Sequence, residues 1–111
     1  MPELYTNPLY ISYYMPYTGT IIHAAPYNEY TDTLPIIVIP DGSVVYFETI
    51  VYTLRHHGKI CVLCEIGGPC CHLIVDFREK QGLNIFHLPN ARNLLPDKTR
   101  ATLFPDGSLI Y

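Results

Sequence analysis

Apolar residues fall in short runs broken by Pro, Gly and Asp, a pattern that predicts strands joined by turns. Leu9–Met15 alternates: Leu9, Ile11, Tyr13 and Met15 would share one face, with Tyr10, Ser12 and Tyr14 on the other, the period-two mark of a half-buried strand. Pro16 to Gly19 reads as a turn, Thr20–Ala25 as a return strand, and the polar stretch from Pro26 to Pro35 as a loop. Ile36–Ile39 reads as a short buried strand. It is closed by Pro40-Asp41-Gly42, where proline presets one turn corner and glycine accepts a left-handed one.

Ser43–Arg55 carries two conflicting signals. Phe47, Ile50, Val51 and Leu54 recur at helical spacing, and Gly58 after His56-His57 makes a good helix stop. The same segment is a dense β-branched and aromatic run from Val44 to Thr53, and that composition favours a strand. Lys59 to Phe77 then reads as a β-hairpin about Gly67-Gly68. In it Ile60–Ile66 pairs with Cys71–Phe77, so that Cys64 faces Cys71, Val62 faces Leu73 and Ile60 faces Val75. The other hairpin face would carry Cys61, Glu65, Cys70, His72 and Asp76. Together these runs predict an antiparallel meander from Ile36 through Phe77.

Arg78–Gly82 reads as a charged turn, Leu83–Leu88 as a strand, Pro89–Arg100 as a loop with one helical turn, and Ala101–Tyr111 as a closing hairpin. The expected fold class is mainly β: a small single-domain antiparallel sheet over residues 1–111, a meander of hairpins with room for one short helix, which would make it α+β. VIPDGSVVY at 38–46 and LFPDGSLIY at 103–111 share Pro, Asp, Gly, Ser and the final Tyr. Either they are two copies of one strand–turn–strand unit, or two turns reached the same common solution separately, which is the simpler reading.

Composition bounds the class. At 111 residues, with 49% apolar and 15% charged, the chain is one ordered domain able to bury a core without staples. No apolar run approaches the roughly 20 residues of a membrane helix. MPELYTNPL lacks the basic-then-apolar order of a secretory signal, so an intracellular address is expected. Charge is divided unevenly: residues 1–54 hold five acids and no Lys or Arg, giving −5, while 55–111 hold seven basic and five acidic residues, giving +2. A net charge of −3 without a basic stripe argues against nucleic acid as partner. In its tyrosine- and isoleucine-rich composition the chain resembles small accessory proteins of viruses that infect thermophilic archaea, which would place it in a host cytoplasm. Its low charged fraction runs against the hyperthermophile pattern.

The four cysteines, Cys61, Cys64, Cys70 and Cys71, admit several chemistries. Cys61-x2-Cys64 has zinc-ligand spacing, and Cys70, Cys71 or His72 would complete a tetrahedral set; the candidate ligands are Cys61, Cys64, Cys71 and His72 around one structural zinc. Val62 and Leu63 favour extended backbone, however, which sends Cys61 and Cys64 to opposite faces. A Cys64–Cys71 disulfide is the second reading, and reduced thiols buried as small hydrophobes the third and simplest. A thiol nucleophile served by His56, His57 or His87 is a fourth, but strand neighbours point apart and no familiar nucleophile context surrounds Cys70-Cys71-His72. His23 reads as a satisfied core histidine.

Seven of the ten tyrosines lie in the first thirty residues, among acids. Tyrosine offers large contact area at low entropic cost. Tyr10, Tyr14 and Tyr17, facing outward, would form an acidic aromatic patch suited to a basic or aromatic partner. The expected function is a non-enzymatic protein-interaction module that binds a partner or itself as a homodimer, with no cofactor or one structural zinc. A structural zinc protein and a cysteine enzyme are the alternatives.

Overall fold

The computed structural model describes residues 2–66, 75–77 and 79–111. The chain is mainly β. Strands β1 (Glu3–Tyr5), β2 (Asn7–Ile11), β3 (Tyr17–His23), β4 (Pro35–Ile39), β5 (Ile60–Cys64), β6 (Leu83–His87), β7 (Arg100–Leu103) and β8 (Ser108–Ile110) form one sheet in the order β1-β8-β7-β3-β4-β5-β6-β2. Thr6 alone separates β1 from β2, yet these two strands stand at opposite edges. The sheet therefore curls until both edges meet in one N-terminal segment: Leu4 pairs with Leu109 on β8, and Asn7 pairs with His87 on β6. At the crossing, Thr6 donates its backbone N–H and its hydroxyl to the Gly107 carbonyl, at 2.8 and 2.7 Å. Gly107 has φ +99°, and a Cβ there would run into the Thr6 carbonyl oxygen, so no side chain fits.

Pairing corrects the antiparallel meander. β1·β8, β2·β6, β3·β7 and β7·β8 are antiparallel, but β3·β4, β4·β5 and β5·β6 are parallel. Parallel neighbours need crossover connections, and the Ser43–Arg55 segment supplies one. Val44–Tyr46 forms a 3-10 turn and α1 spans Phe47–His57, where composition favoured a strand. β-branched residues lower helix propensity by only a few tenths of a kcal/mol each. Burying a side chain such as Ile50 or Leu54 against the sheet returns roughly 1.5–3 kcal/mol, so packing decides. Gly58, at φ 80°, ends the helix by donating its N–H to Leu54 O at 2.7 Å, as its position suggested.

The expected 60–77 hairpin is corrected as well. β5 is a strand, but Ile60 pairs with Leu83 rather than Val75, and residues 75–77 are helical. Phe77 packs edge-to-face on Phe47 with ring centroids 5.3 Å apart, on the α1 side of the sheet. The readings that fall on Gly67-Gly68, Cys70, Cys71, His72 and Leu73 lie outside the described residues.

Alternation along the parallel strands builds two cores. Ile37, Ile39, Ile60, Val62, Cys64, Leu83 and Ile85 face outward under α1. Ile36, Val38, Cys61, Leu63 and Phe86 face inward, joined by Leu4, Ile11, Ile21, Ala101, Leu103 and Leu109 from the remaining strands. A barrel of this strand number has an interior that side chains can fill. A second helix, α2 (Ala91–Leu94), sits at the carboxyl end of the parallel strands, where Leu88, Ala91 and Leu95 join the inner core.

The two PDGS segments share a turn and not a fold. Asp41 Oδ1 accepts the Ser43 N–H at 2.8 Å, and Asp106 Oδ1 accepts the Ser108 N–H at 2.9 Å. The first then enters a helix and the second a strand, which rules out two copies of one strand–turn–strand unit. With a Cα radius of gyration of 12.1 Å, the described residues form one compact body, at or below the roughly 13 Å expected of a globular chain this long. None of the described helices is long and apolar enough to cross a membrane.

Candidate functional site

The carboxyl ends of parallel strands are where ligands commonly sit. Here that end is closed, and its polar groups engage one another. His23 Nε2–H donates to Leu95 O at 2.7 Å, and the His23 N–H donates to Asp97 Oδ1 at 2.9 Å. His87 Nε2–H donates to Glu65 O at 3.2 Å, and Arg92 donates to Ala24 O at 3.1 Å. Arg92 Nε also approaches Glu65 Oε1 at 3.3 Å; this is an ion pair without an aligned hydrogen bond. His23 is thus the satisfied histidine its sequence context suggested.

The amino end is organised by Asn84, a buried residue that no sequence motif announced. Its Oδ1 accepts the N–H of Ser12 at 2.8 Å and of Tyr13 at 3.3 Å, and its Nδ2 donates to Tyr13 O at 3.0 Å. These bonds fold the segment after β2 inward, so that Tyr13 stoppers the barrel. Its hydroxyl donates to Ile60 O at 3.1 Å and lies 3.2 Å from Cys61 Sγ. Burial pushes the Cys61 thiol up to about 12, only partly offset by the Tyr13 hydroxyl. Burial, with Cys61 beside them, also pushes the phenols of Tyr13 and Tyr17 well above the tyrosine range. Cys61 is a protonated, buried thiol, the opposite of an activated nucleophile.

Cys61 and Cys64 belong to the inner and outer cores, so the sheet stands between them and they do not meet as a ligand pair. Among the described residues no group of three or more His, Cys, Asp or Glu side chains is placed to hold a metal ion. Cys64 is disulfide-bonded; Cys70, Cys71 and His72 lie outside the described residues. The candidate bases are spread out: His56 and His57 end α1, with His57 Nε2–H on Tyr30 O at 2.8 Å, while His87 ends β6.

The three tyrosines chosen from sequence do not form one face. Tyr17 is 6% exposed and donates its hydroxyl to Pro35 O at 2.7 Å. Tyr10 packs on the outer core with its hydroxyl on Lys80 O at 2.8 Å. Only Tyr14, 79% exposed, faces solvent as expected. The register shift between Pro8 and Tyr10 explains Tyr10, because a bulge breaks the period-two alternation, whereas Tyr17 is buried because β3 starts there, which corrects the turn expected over Pro16 to Gly19. Leu9 and Tyr10 both reach the outer core, Ile11 and Tyr13 the inner, and Met15 emerges into solvent.

Beside Tyr14 and Met15 lies a cleft of about 510 Å³ lined by Pro16, Tyr17, Thr18, Leu34, His57, Gly58 and Lys59. Tyr14, Met15 and Leu34 are exposed large apolar side chains. Lys59 ties the patch together, its ammonium 5.3 Å from the Tyr13 ring centroid and 4.0 Å from Met15 Sδ. The arrangement offers an apolar concavity with a cationic lip. No known protein family, curated protein or solved structure matches the chain.

Proposed function

We propose that this chain is a non-enzymatic interaction module that docks a partner protein, or a second copy of itself, through the amino-end face bearing Tyr14, Met15 and Leu34. The observation carrying this reading is a cleft walled by the exposed Leu34 and by Lys59, whose ammonium lies 4.0 Å from the exposed Met15, with the exposed Tyr14 next to Met15 in the chain. Contiguous apolar surface with an aromatic member is what protein interfaces enrich, whereas scattered apolar residues carry no such meaning.

The test is the double substitution Tyr14→Ser with Leu34→Ser. Both side chains are exposed, so circular dichroism and the unfolding midpoint should match the parent. Self-association by sedimentation and capture of the parent's binding partner should both weaken by about tenfold or more. Association unchanged in the double variant refutes the reading.

A further inference from the structure

The cleft's charge identifies what it holds. Its lining includes His57 and Lys59 and no carboxylate. Among the described residues, Lys59 has no acid within ion-pairing distance; the ion pair formed there is Arg92 with Glu65, at the far end of the barrel. The carbonyl end of α1 brings partial negative charge to Gly58, but Arg55 lies in that last turn and opposes it. Lys59, held over the Tyr13 ring, remains a full positive charge beside the apolar walls of Pro16, Tyr17 and Leu34. The acids of the first half, on which the expectation of a basic partner rests, are not part of this cleft's lining.

We infer, building on the docking reading above, that the cleft binds a peptide segment in which a carboxylate stands beside a bulky apolar side chain. The side chain enters between Pro16, Tyr17 and Leu34, and the carboxylate pairs with Lys59. A chain terminus and an Asp or Glu side chain present the same chemistry. A charge-assisted pair at the rim of a partly desolvated cleft discriminates against the neutral analogue, which leaves the ammonium without its partner.

The experiment is fluorescence anisotropy on the full chain with three short labelled peptides. One ends in Ser-Leu-Phe with a free carboxylate, the second is its C-terminal amide, and the third is an amide extended by Asp after Phe. The free acid should bind at least about tenfold more tightly than the plain amide. Binding of the Asp peptide like the acid assigns the site to any carboxylate, and binding like the plain amide assigns it to chain termini. Lys59→Met should erase the acid–amide difference and Lys59→Arg should keep it; Lys59 is exposed, so neither should disturb the fold. Equal binding of acid and amide, an unaltered preference in Lys59→Met, or no binding of any peptide overturns the inference. If acid and amide bind equally and Leu34→Ser abolishes both, the docking face stands without charge recognition. Association unaffected by the Tyr14 and Leu34 substitutions removes the docking reading itself.

Discussion

Thr6 and Gly107 lie 101 positions apart in the chain and are joined by two hydrogen bonds to one carbonyl, at 2.8 and 2.7 Å. Thr6 is buried, and its neighbours on either side belong to strands at opposite edges of the sheet. The contact is where a curled sheet becomes a barrel. Losing it would separate the N-terminal segment from β8 while its pairing to β6 remained.

Gly107→Ala is therefore expected to be severe. It places a methyl group against the Thr6 carbonyl and forces an alanine to φ near +99°. Strained backbone alone costs about 1–3 kcal/mol, and the clash adds to it. Thr6→Val keeps the shape and removes the hydroxyl bond, for about 1 kcal/mol. Urea unfolding of both variants checks the order; Gly107→Ala as stable as the parent would contradict the close approach.

Asn84→Leu should destabilise by roughly 2–4 kcal/mol, because it strands the Ser12 and Tyr13 backbone groups that Asn84 now satisfies. It should also free Tyr13 from the barrel mouth and raise the reactivity of Cys61 toward alkylating reagents. The measurement is the urea midpoint together with the thiol alkylation rate of the native protein. A parent-like rate would mean that Asn84 does not hold the stopper in place.

Stability should fall in alkali. The Cys61 thiol, ordinarily near 9.0, is raised to about 12 in the fold. Between those values the unfolded chain releases a proton that the folded chain retains, so stability is intact below about pH 9 and declines as pH climbs toward 12. Tyr13 and Tyr17, also raised, act in the same direction. Urea midpoints from about pH 8 to about pH 11 should drop steadily, and Cys61→Ala should flatten the lower part of that slope. A midpoint independent of pH would contradict the buried thiol.

Much of the architecture was legible because local signals agreed with the final packing. Ile36–Ile39, Leu83–Leu88 and the closing hairpin were readable from apolar runs bounded by turn residues, and one helical turn lies within Pro89–Arg100. α1 was misread because two signals conflicted. The helical spacing of Phe47, Ile50 and Leu54 with Gly58 behind them described the packed face, while the β-branched residues described only a weak intrinsic preference. Parallel pairing was invisible for the same reason, since removing the crossover helix leaves only hairpins to connect strands. The cleft was missed because its walls come from the entry to β3, the entry to β4 and the exit of α1, which no local window brings together. Tyr14 is exposed as its alternation reads, whereas Tyr10 sits at the Pro8/Tyr10 bulge and Tyr17 opens β3 where the sequence reads as a turn. Lys59 was the available signal: the first basic residue after Arg55, set just beyond a helix stop and next to an apolar run.

The central claim, that residues 3–11 join the sheet's two edges, is tested most directly by cross-strand nuclear Overhauser effects in the isotopically labelled protein. The fold requires contacts from Leu4 to Leu109 and, in the same molecule, from Ile11 to Asn84. Observing both sets with comparable intensity is the predicted result. Contacts to β8 without those to β6, or the reverse, would contradict it by leaving the sheet open.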